Sequence, residues 1–473
     1  MKSIKQITPL CLTLGAVFFL AGCSSMAPKY VQPAAPVPAA WGSQAVAAQA
    51  PQKAAADIPW QDFFVDRQLS RLIELALKNN RDLRVAALNI ERFKALYQIR
   101  SADHLPKVDL SAGAAYQRVP ADFSGSGQAT TTHQYNVGAG LVSYELDLFG
   151  RVQSLKEQAL EQYLATEQAQ RSVQISLISQ VASTWLTLAA DRERLLLAKS
   201  TLTGQQESYQ LIKSRFDAGV SSSLALNQAR TTVDAARVDI ARYTTLVAQD
   251  ENALNFVVGS QVPTDLLPAA LSESLTAIKE ISPGLPSDVL LQRPDILQAE
   301  GQLKGLNANI GAARAAFFPR ITLVSSVGFG SNELSGLFKG DSFAWSILPR
   351  ISLPLFDGGS NSANMKVAEV DRNIAVAQYE KAIQNAFREV EDALAQRGTI
   401  DEQVAAQQSL TDATSESYKL SQARFDKGVD SYLTVLDAQR SLYGAQQNLI
   451  SARLSRLGNQ VTLYKVLGGG NKN

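Results

Sequence analysis

The chain has 473 residues, with 45 Lys and Arg against 44 Asp and Glu, and a net charge of +1. So balanced a charge excludes the strong basic field on which nucleic-acid binding depends. Two Cys and two His, with no cluster of His, Cys or carboxylates at metal-ligand spacing, leave no disulfide scaffold, no metal site and little for catalysis to stand on.

Lys2 and Lys5 precede an apolar run from Ile7 to Leu20 that ends in "LAGC" at Leu20 to Cys23. The run is shorter than the ~20 residues of a membrane span and closes on a small-residue cleavage site, so 1–22 reads as a bacterial lipoprotein signal. The alternative is an uncleaved N-terminal anchor. In the lipoprotein class the thiol of Cys23 is acylated and becomes the mature N-terminus, and Ser24 in place of Asp fits release to the outer membrane. Cys11 leaves with the signal, so no cysteine pair remains to be oxidised. Without Lys2 and Lys5 the basic count falls from 45 to 43 against 44 acidic, and the net charge from +1 to −1. Residues 23–59 turn to Ala, Pro and Gln, including "QPAAPVPAAW", and are predicted to run extended as a tether.

From Trp60 the chain is written twice, as 60–268 and 269–473. "RSADHLPKVDL" from Arg100 answers "RAAFFPRITL" ending at Leu323, with Pro106 over Pro319 and Asp82 over Asp295. "LDLFGR" from Leu146 answers "LPLFDGG" from Leu353, and "RFDAGVSSSL" from Arg215 answers "RFDKGVDSYL" from Arg424. Each unit reads helix, strand, loop, strand, very long helix, turn, helix.

The strands show as short alternations: Val108, Leu110, Ala112 and Ala114, then Val142, Tyr144, Leu146 and Leu148. In the second unit they are Ile321 to Phe329 at every other residue, then Phe343, Trp345, Ile347, Pro349, Ile351, Leu353 and Leu355. Alternating segments of about ten residues suit a strand crossing an outer membrane, or else the edge of a soluble sandwich. Beyond "DLFG" no Pro occurs until Pro263, and none follows Pro354. An unbroken helix over Arg151 to Asp217 would be roughly 100 Å long.

The returning helix of the second unit carries two apolar seams. One runs Leu433, Leu436, Arg440, Tyr443, Gln447, Ile450, Leu454, Leu457, Val461 and Tyr464; the other runs Val435, Ala438, Leu442, Ala445, Leu449, Ala452, Arg456, Asn459, Leu463 and Val466. The first unit repeats the second seam from Leu226 to Val257. Two seams give each helix a neighbour on either side, as in a closed wall of helices; a coiled-coil dimer would need only one. Four strands cannot close a membrane barrel, because open edges would leave backbone groups unsatisfied in lipid. Three chains would supply twelve strands.

The "LAGC" start, "LIELALKNNRDLRVA", "YELDLFGR", "YLATEQAQRS", "LPSDVLLQRPDI", "GAARAAFFPRI" and "YLTVLDAQRSL" together resemble the lipoprotein branch of the outer-membrane efflux proteins, the family of TolC and OprM. The resemblance runs from the lipobox to "LYKVLGGG" and implies a mainly α fold with a membrane β-barrel. It implies a homotrimer whose twelve-stranded barrel continues into a long α-helical barrel, anchored in outer-membrane lipid and extending into the periplasm. The implied partners are a periplasmic adaptor and an inner-membrane pump, usually of the proton-driven resistance-nodulation-division type. On this resemblance Gly219, Val220 and Ser221, with Gly428, Val429 and Asp430, are the adaptor-contact tips of two helical hairpins. Leu433, Asp437 and Arg440, on successive turns just beyond the second tip, occupy positions that form the channel gate in relatives.

Read without the family, Asp437 and Arg440 form an ordinary helix-surface pair three residues apart. The first unit has Gln228 opposite Asp437, so the two hairpins are not equivalent. His104, just before Pro106 at a strand start, reads as structural, and "FDGGS" from Phe356 lacks the Lys of a phosphate loop and reads as a turn. No cofactor, metal or enzymatic role is expected. Two functions remain: a passive exit duct for drugs and other small toxic compounds, and a structural periplasmic coiled-coil lipoprotein or adaptor. The duct explains strands, tandem hairpins, anchor and paired seams together.

Overall fold

The chain runs twice through one order of elements. The computed structural model describes residues 25–42, 57–125, 127–271, 278 and 287–470; the segment 1–22 and Cys23 lie outside the described residues. After helix α1 (Arg67–Asn79), the first pass is α2 (Arg81–Ala102), β1 (Val108–Val119), β2 (Thr130–Leu146), α3 (Arg151–Asp217) and α4 (Ser223–Val258). The second is α5 (Pro294–Ala315), β3 (Arg320–Ser331), β4 (Phe343–Ser352), α6 (Ser360–Asp426) and α7 (Tyr432–Val466). Helices α3 and α6 each have 67 residues, about 100 Å at 1.5 Å per residue.

The chain divides into two compact units. One holds the tether up to Ala34, Ile90–Thr166 and Ala299–Tyr379, and so the whole sheet. The other holds Ala35–Asn89, Glu167–Gln298 and everything from Glu380 onward, and so both hairpin turns.

In the first unit the four strands form one antiparallel sheet in chain order, and neither β1 nor β4 has a strand partner on its outer side among the described residues. The register sorts the side chains cleanly, since directly paired residues share a face. One face carries Val108, Leu110, Ala112 and Ala114, then Val137, Ala139 and Leu141, then Leu323, Val327 and Phe329, then Phe343, Trp345, Ile347 and Ile351. It is apolar and exposed: Leu110 is 81% and Trp345 66% accessible. The opposite face carries Ser111, Gly113, Gln134, Asn136, Gly138, Gly140, Ser326, Gly328 and Ser346. An apolar face against a small polar one is the pattern of a strand set between lipid and a water-filled lumen. A bulge between Leu141 and Tyr144 shifts the phase of β2, so that apolar positions change from odd to even numbers and Tyr144 and Leu146 stay on the apolar face.

The strand limits differ from those expected. β2 begins at Thr130, well before Val142, because its first half ("TTTHQYN") is polar on both faces and shows no apolar alternation. Val142 falls within the bulge. Leu148, Leu353 and Leu355 lie beyond the strands, in the turns that feed α3 and α6. In those turns Asp147 accepts from the amides of Arg151 and Gln153 at 2.7 and 2.8 Å, and Asp357 accepts from those of Gly359 and Asn361 at 2.9 and 2.8 Å. Each carboxylate satisfies amides that the first turn of a 67-residue helix leaves open. Arg151 and Arg320 both reach Glu145, at 2.7 and 2.6 Å.

The tether is pinned as an extended run. Ser25 Oγ lies 2.9 Å from Ser154 Oγ, Asn307 donates to the Pro28 carbonyl at 2.7 Å, Tyr30 donates to Glu300 at 3.1 Å, and Gln32 donates to Tyr379 Oη at 3.0 Å.

In the second unit the same device joins each short helix to the end of its returning helix. Asn80 Nδ2 donates to the Val257 carbonyl at 2.7 Å while its Oδ1 caps α2 through the Leu83 amide at 2.9 Å. Arg293 donates to the Val466 carbonyl at 2.8 Å and pairs with Asp295 and Glu389 at 2.7 and 2.9 Å. Val257 and Val466 are equivalent positions of the repeat, so "NNRDL" and "QRPDI" are two solutions to one problem: a carbonyl at a helix end that needs a donor. Phe63 stacks on Tyr464 at 4.1 Å, and the Tyr464 hydroxyl donates to the Ile58 carbonyl at 2.7 Å.

Candidate functional site: the hairpin turns and the exposed stripe of α7

The repeated phrase builds the same turn twice. The amide of Val220 bonds the Arg215 carbonyl and that of Gly219 bonds Phe216, both at 2.9 Å; Val429 to Arg424 and Gly428 to Phe425 repeat the two distances. Gly219 and Gly428 sit at φ of +76° and +74°, the left-handed conformation that a residue with a Cβ resists. Val220 and Val429 are exposed at 74% and 61%. Beneath the turns Ile212 and Ala229 of the first hairpin pack with Phe425, Tyr432, Val435 and Leu436 of the second.

One substitution makes the turns unequal. Asp430 holds Arg424 in a two-point pair at 2.6 and 2.9 Å, and Arg424 keeps that carboxyl below its ordinary range. Ser221 stands at the equivalent place in the first turn and offers no charge. Arg215 lies instead over the ring of Phe425 in the other hairpin, at 4.5 Å. Ser222 caps α4 by accepting from the Ala225 amide at 3.2 Å, whereas Ser431 makes no side-chain cap for α7.

Leu433, Asp437 and Arg440 lie together on the exposed side of α7, with Val435, Leu436 and Gln439 buried on the other. The surface pair between Asp437 and Arg440, the alternative to the gate, does not form. Neither side chain makes an ion pair with any described residue, although Leu433, at 54% exposure, and both charges share one stripe. The first seam is therefore open at Leu433 and Arg440, with Leu436 buried between them, and buried or half-buried from Tyr443 onward, while the second is buried or half-buried throughout.

One tie lay hidden in the sequence. Tyr443 donates to Asp239 of α4 at 2.9 Å, and Arg242 pairs with the same carboxylate at 3.0 Å. Burial, then the neighbouring Asp239, pushes the Tyr443 phenol above its ordinary value, so it remains a donor at any pH the cell envelope meets. The sequence signal was a phenol in a helical seam, which needs a polar partner. Farther from the turns, Asp250 is pushed up to about 6, first by burial and then by Asp191. Asp191 pairs with Arg194 at 2.6 Å, and Arg194 donates to Ser451 of α7 at 2.8 Å. The His104 carbonyl accepts from the Tyr144 hydroxyl at 3.2 Å.

The family model for outer membrane efflux proteins matches residues 72–260 and again 285–469, once on each repeat. The chain belongs to this family. It is 49% identical to the solvent efflux pump outer membrane protein SrpC of Pseudomonas putida, over 97% of this chain and 98% of that protein. It is 43% identical to the outer membrane protein OprJ of Pseudomonas aeruginosa, over 98% of this chain and 94% of that one. Among solved structures, the open state of the Neisseria gonorrhoeae MtrE outer membrane channel superposes with a TM-score of 0.85 at 37% identity, covering 95% and 99% of the two chains. The outer membrane efflux protein is thus a channel component of an efflux pump, mainly helical with a membrane β-sheet, and the spacer reading gives way to the duct.

Proposed function

We propose that three copies of the efflux protein close into a conduit, with β1 of each chain pairing to β4 of the next to give twelve strands, and with the helices forming a tube in the periplasm. The open edges of β1 and β4 support this, because a lipid-facing sheet leaves no backbone donor unpaired. The two turns, at Gly219, Val220 and Ser221 and at Gly428, Val429 and Asp430, dock on a periplasmic adaptor served by an inner-membrane pump of the proton-driven resistance-nodulation-division type. The repeat boundary falls near residue 268. The cargo is small toxic organic molecules and drugs, in line with the solvent pump protein named above. Cys23 carries the lipid anchor: Ser25, two residues on, is bonded to Ser154 in the first turn of α3, just past the strand ends.

The gate is the exposed stripe of Leu433, Asp437 and Arg440, and the observation that carries this reading is that Asp437 and Arg440 lie side by side unpaired. Three Asp437 side chains around an axis would repel, attract cations and keep a narrow passage charged. In planar lipid bilayers at low salt, Asp437→Asn lowers the preference for cations over anions. An unchanged permeability ratio would remove Asp437 from the gate.

A further inference from the structure

Both repeats leave the sheet on the same phrase, but only one copy of that phrase is covered. In the first repeat Leu148 and Phe149 follow β2 and are half-buried, and Phe149 stacks on Phe318 at 5.0 Å. Phe318 stands just before β3, the strand that pairs with β2. In the second repeat Leu355 and Phe356 follow β4 and are 92% and 93% accessible, because no further described strand lies beside β4. Two large apolar side chains in succession, bare where their equivalents are covered, mark a surface that lacks its neighbour.

The covered copy says what the neighbour is. Pro106 lies over Pro319 in the repeat, so Leu105 lies over Phe318 and β1 over β3. Leu105 is itself exposed, at the start of β1 and hence at the other open edge of the same sheet. The contact made inside the chain, from the end of β2 to the start of β3, therefore has its counterpart from the end of β4 to the start of β1. Four strands cannot close on themselves, so that β1 belongs to another copy.

The same correspondence sets the register. β2 meets β3 through Leu146 with Ile321 and Glu145 with Thr322. Carried across the repeat, these become Leu353 with Val108, and Ser352 with Asp109, of the next copy. Continued along both strands, the register sets Ile351 opposite Leu110, Ile347 opposite Ala114 and Trp345 opposite Tyr116, and in the other direction Phe356 opposite Leu105. The repeat alone dictates these pairs, yet they lay apolar residues beside apolar ones; a slip of one residue would turn one strand's apolar side chains onto the polar face. β1 and β4 each pair without a shift along their whole length, unlike β2 at its bulge, so one register serves the entire seam. On the polar face it brings Arg350 diagonal to Asp109, within reach of a long side chain. Neither charge has an ion pair among the described residues.

We infer that the junction between copies repeats the β2–β3 junction: β4 pairs with β1 of the next copy with Ser346 opposite Ala115 and Ile347 opposite Ala114, and Phe356 packs on Leu105 of that copy as Phe149 packs on Phe318. This rests on the proposed closure of copies edge to edge, and adds to it the register and the side chains that fix it.

Cysteine cross-linking of the full-length protein in outer membranes is the test. Ala115→Cys with Ser346→Cys, and Ala114→Cys with Ile347→Cys, place thiols directly opposite, with Cβ atoms ~4.5–5.5 Å apart and closer in one of the two kinds of pair, near enough for a disulfide. Ser346→Cys with Gly113→Cys or with Gln117→Cys places them ~7–8 Å apart, out of range. Oxidation should give covalent trimers on denaturing gels from at least one opposed pair and none from the shifted pairs. A ladder from a shifted pair alone overturns the register and leaves closure standing. No ladder from any pair, in protein of trimeric native mass, overturns the β4–β1 junction, and a monomeric native mass overturns closure and the seam together. Phe356→Ala should lower the temperature at which the trimer dissociates in detergent, and adding Leu105→Ala should lower it little further; fully additive losses would separate the two side chains and overturn their contact.

Discussion

Replacing Tyr443 by Phe removes one oxygen and leaves the ring, so its effect isolates the tie between α7 and α4. The hydroxyl donates at 2.9 Å to Asp239, a charge-assisted bond worth about 1.5–3 kcal/mol. Asp239 keeps Arg242 at 3.0 Å, so the carboxylate is not abandoned and the lower figure applies. About 1.5 kcal/mol is close to tenfold in an equilibrium. If the tie holds the hairpins together only while the passage is shut, the variant raises the ratio of open to shut channels about tenfold per chain. The assay is single-channel recording in planar bilayers, with thermal melting as a control for assembly. Because the phenol is held above its ordinary pKa, the difference from wild type should be the same at pH 6 and pH 8. A variant with wild-type open probability and wild-type melting would refute the role of the tie.

Two further outcomes follow from the geometry. Asp250 is raised in the folded chain to about 6, so the stability it contributes is full below its unfolded value near 4 and is lost as pH rises through 6. Asp250→Asn should therefore be more stable than wild type at pH 8 by about 1 kcal/mol, after allowance for solvent screening of a half-buried group, and should match it near pH 4; unfolding curves at the two pH values decide it. Gly219→Ala and Gly428→Ala place a Cβ in open space at positive φ, so each should cost about 1 kcal/mol from backbone strain alone. Hydrogen exchange of the Val220 and Val429 amides should then quicken equally in the two variants, and unequal costs would show contacts beyond the glycine conformation.

The sequence carried the repeat, the long helices and the four strands because each leaves a periodic trace: no Pro across 67 residues, alternate apolar positions, one phrase written twice. The polar first half of β2 left none, since Thr130 to Asn136 alternates nothing; the bulge was legible only as a change from odd to even apolar positions between Leu141 and Tyr144. Spacing of three residues suggested an Asp437–Arg440 pair, but spacing cannot say which rotamers meet. Partners distant in sequence, such as Tyr443 with Asp239 or Arg293 with the Val466 carbonyl, have no periodic signature at all. Their only trace was a polar group at a position that burial would otherwise leave unsatisfied. The asymmetry of the turns was visible as Ser221 against Asp430, although its consequence, Arg215 turned onto Phe425, required coordinates.

Closure of the sheet into a barrel makes this chain one third of the proposed conduit. The native mass of the mature protein, extracted from outer membranes in mild detergent, tests it directly. A trimer is predicted, as the assembly in which the edges of β1 and β4 find partners. A monomer or dimer would leave those edges open and would rule out the closed conduit, whatever the gate variants do.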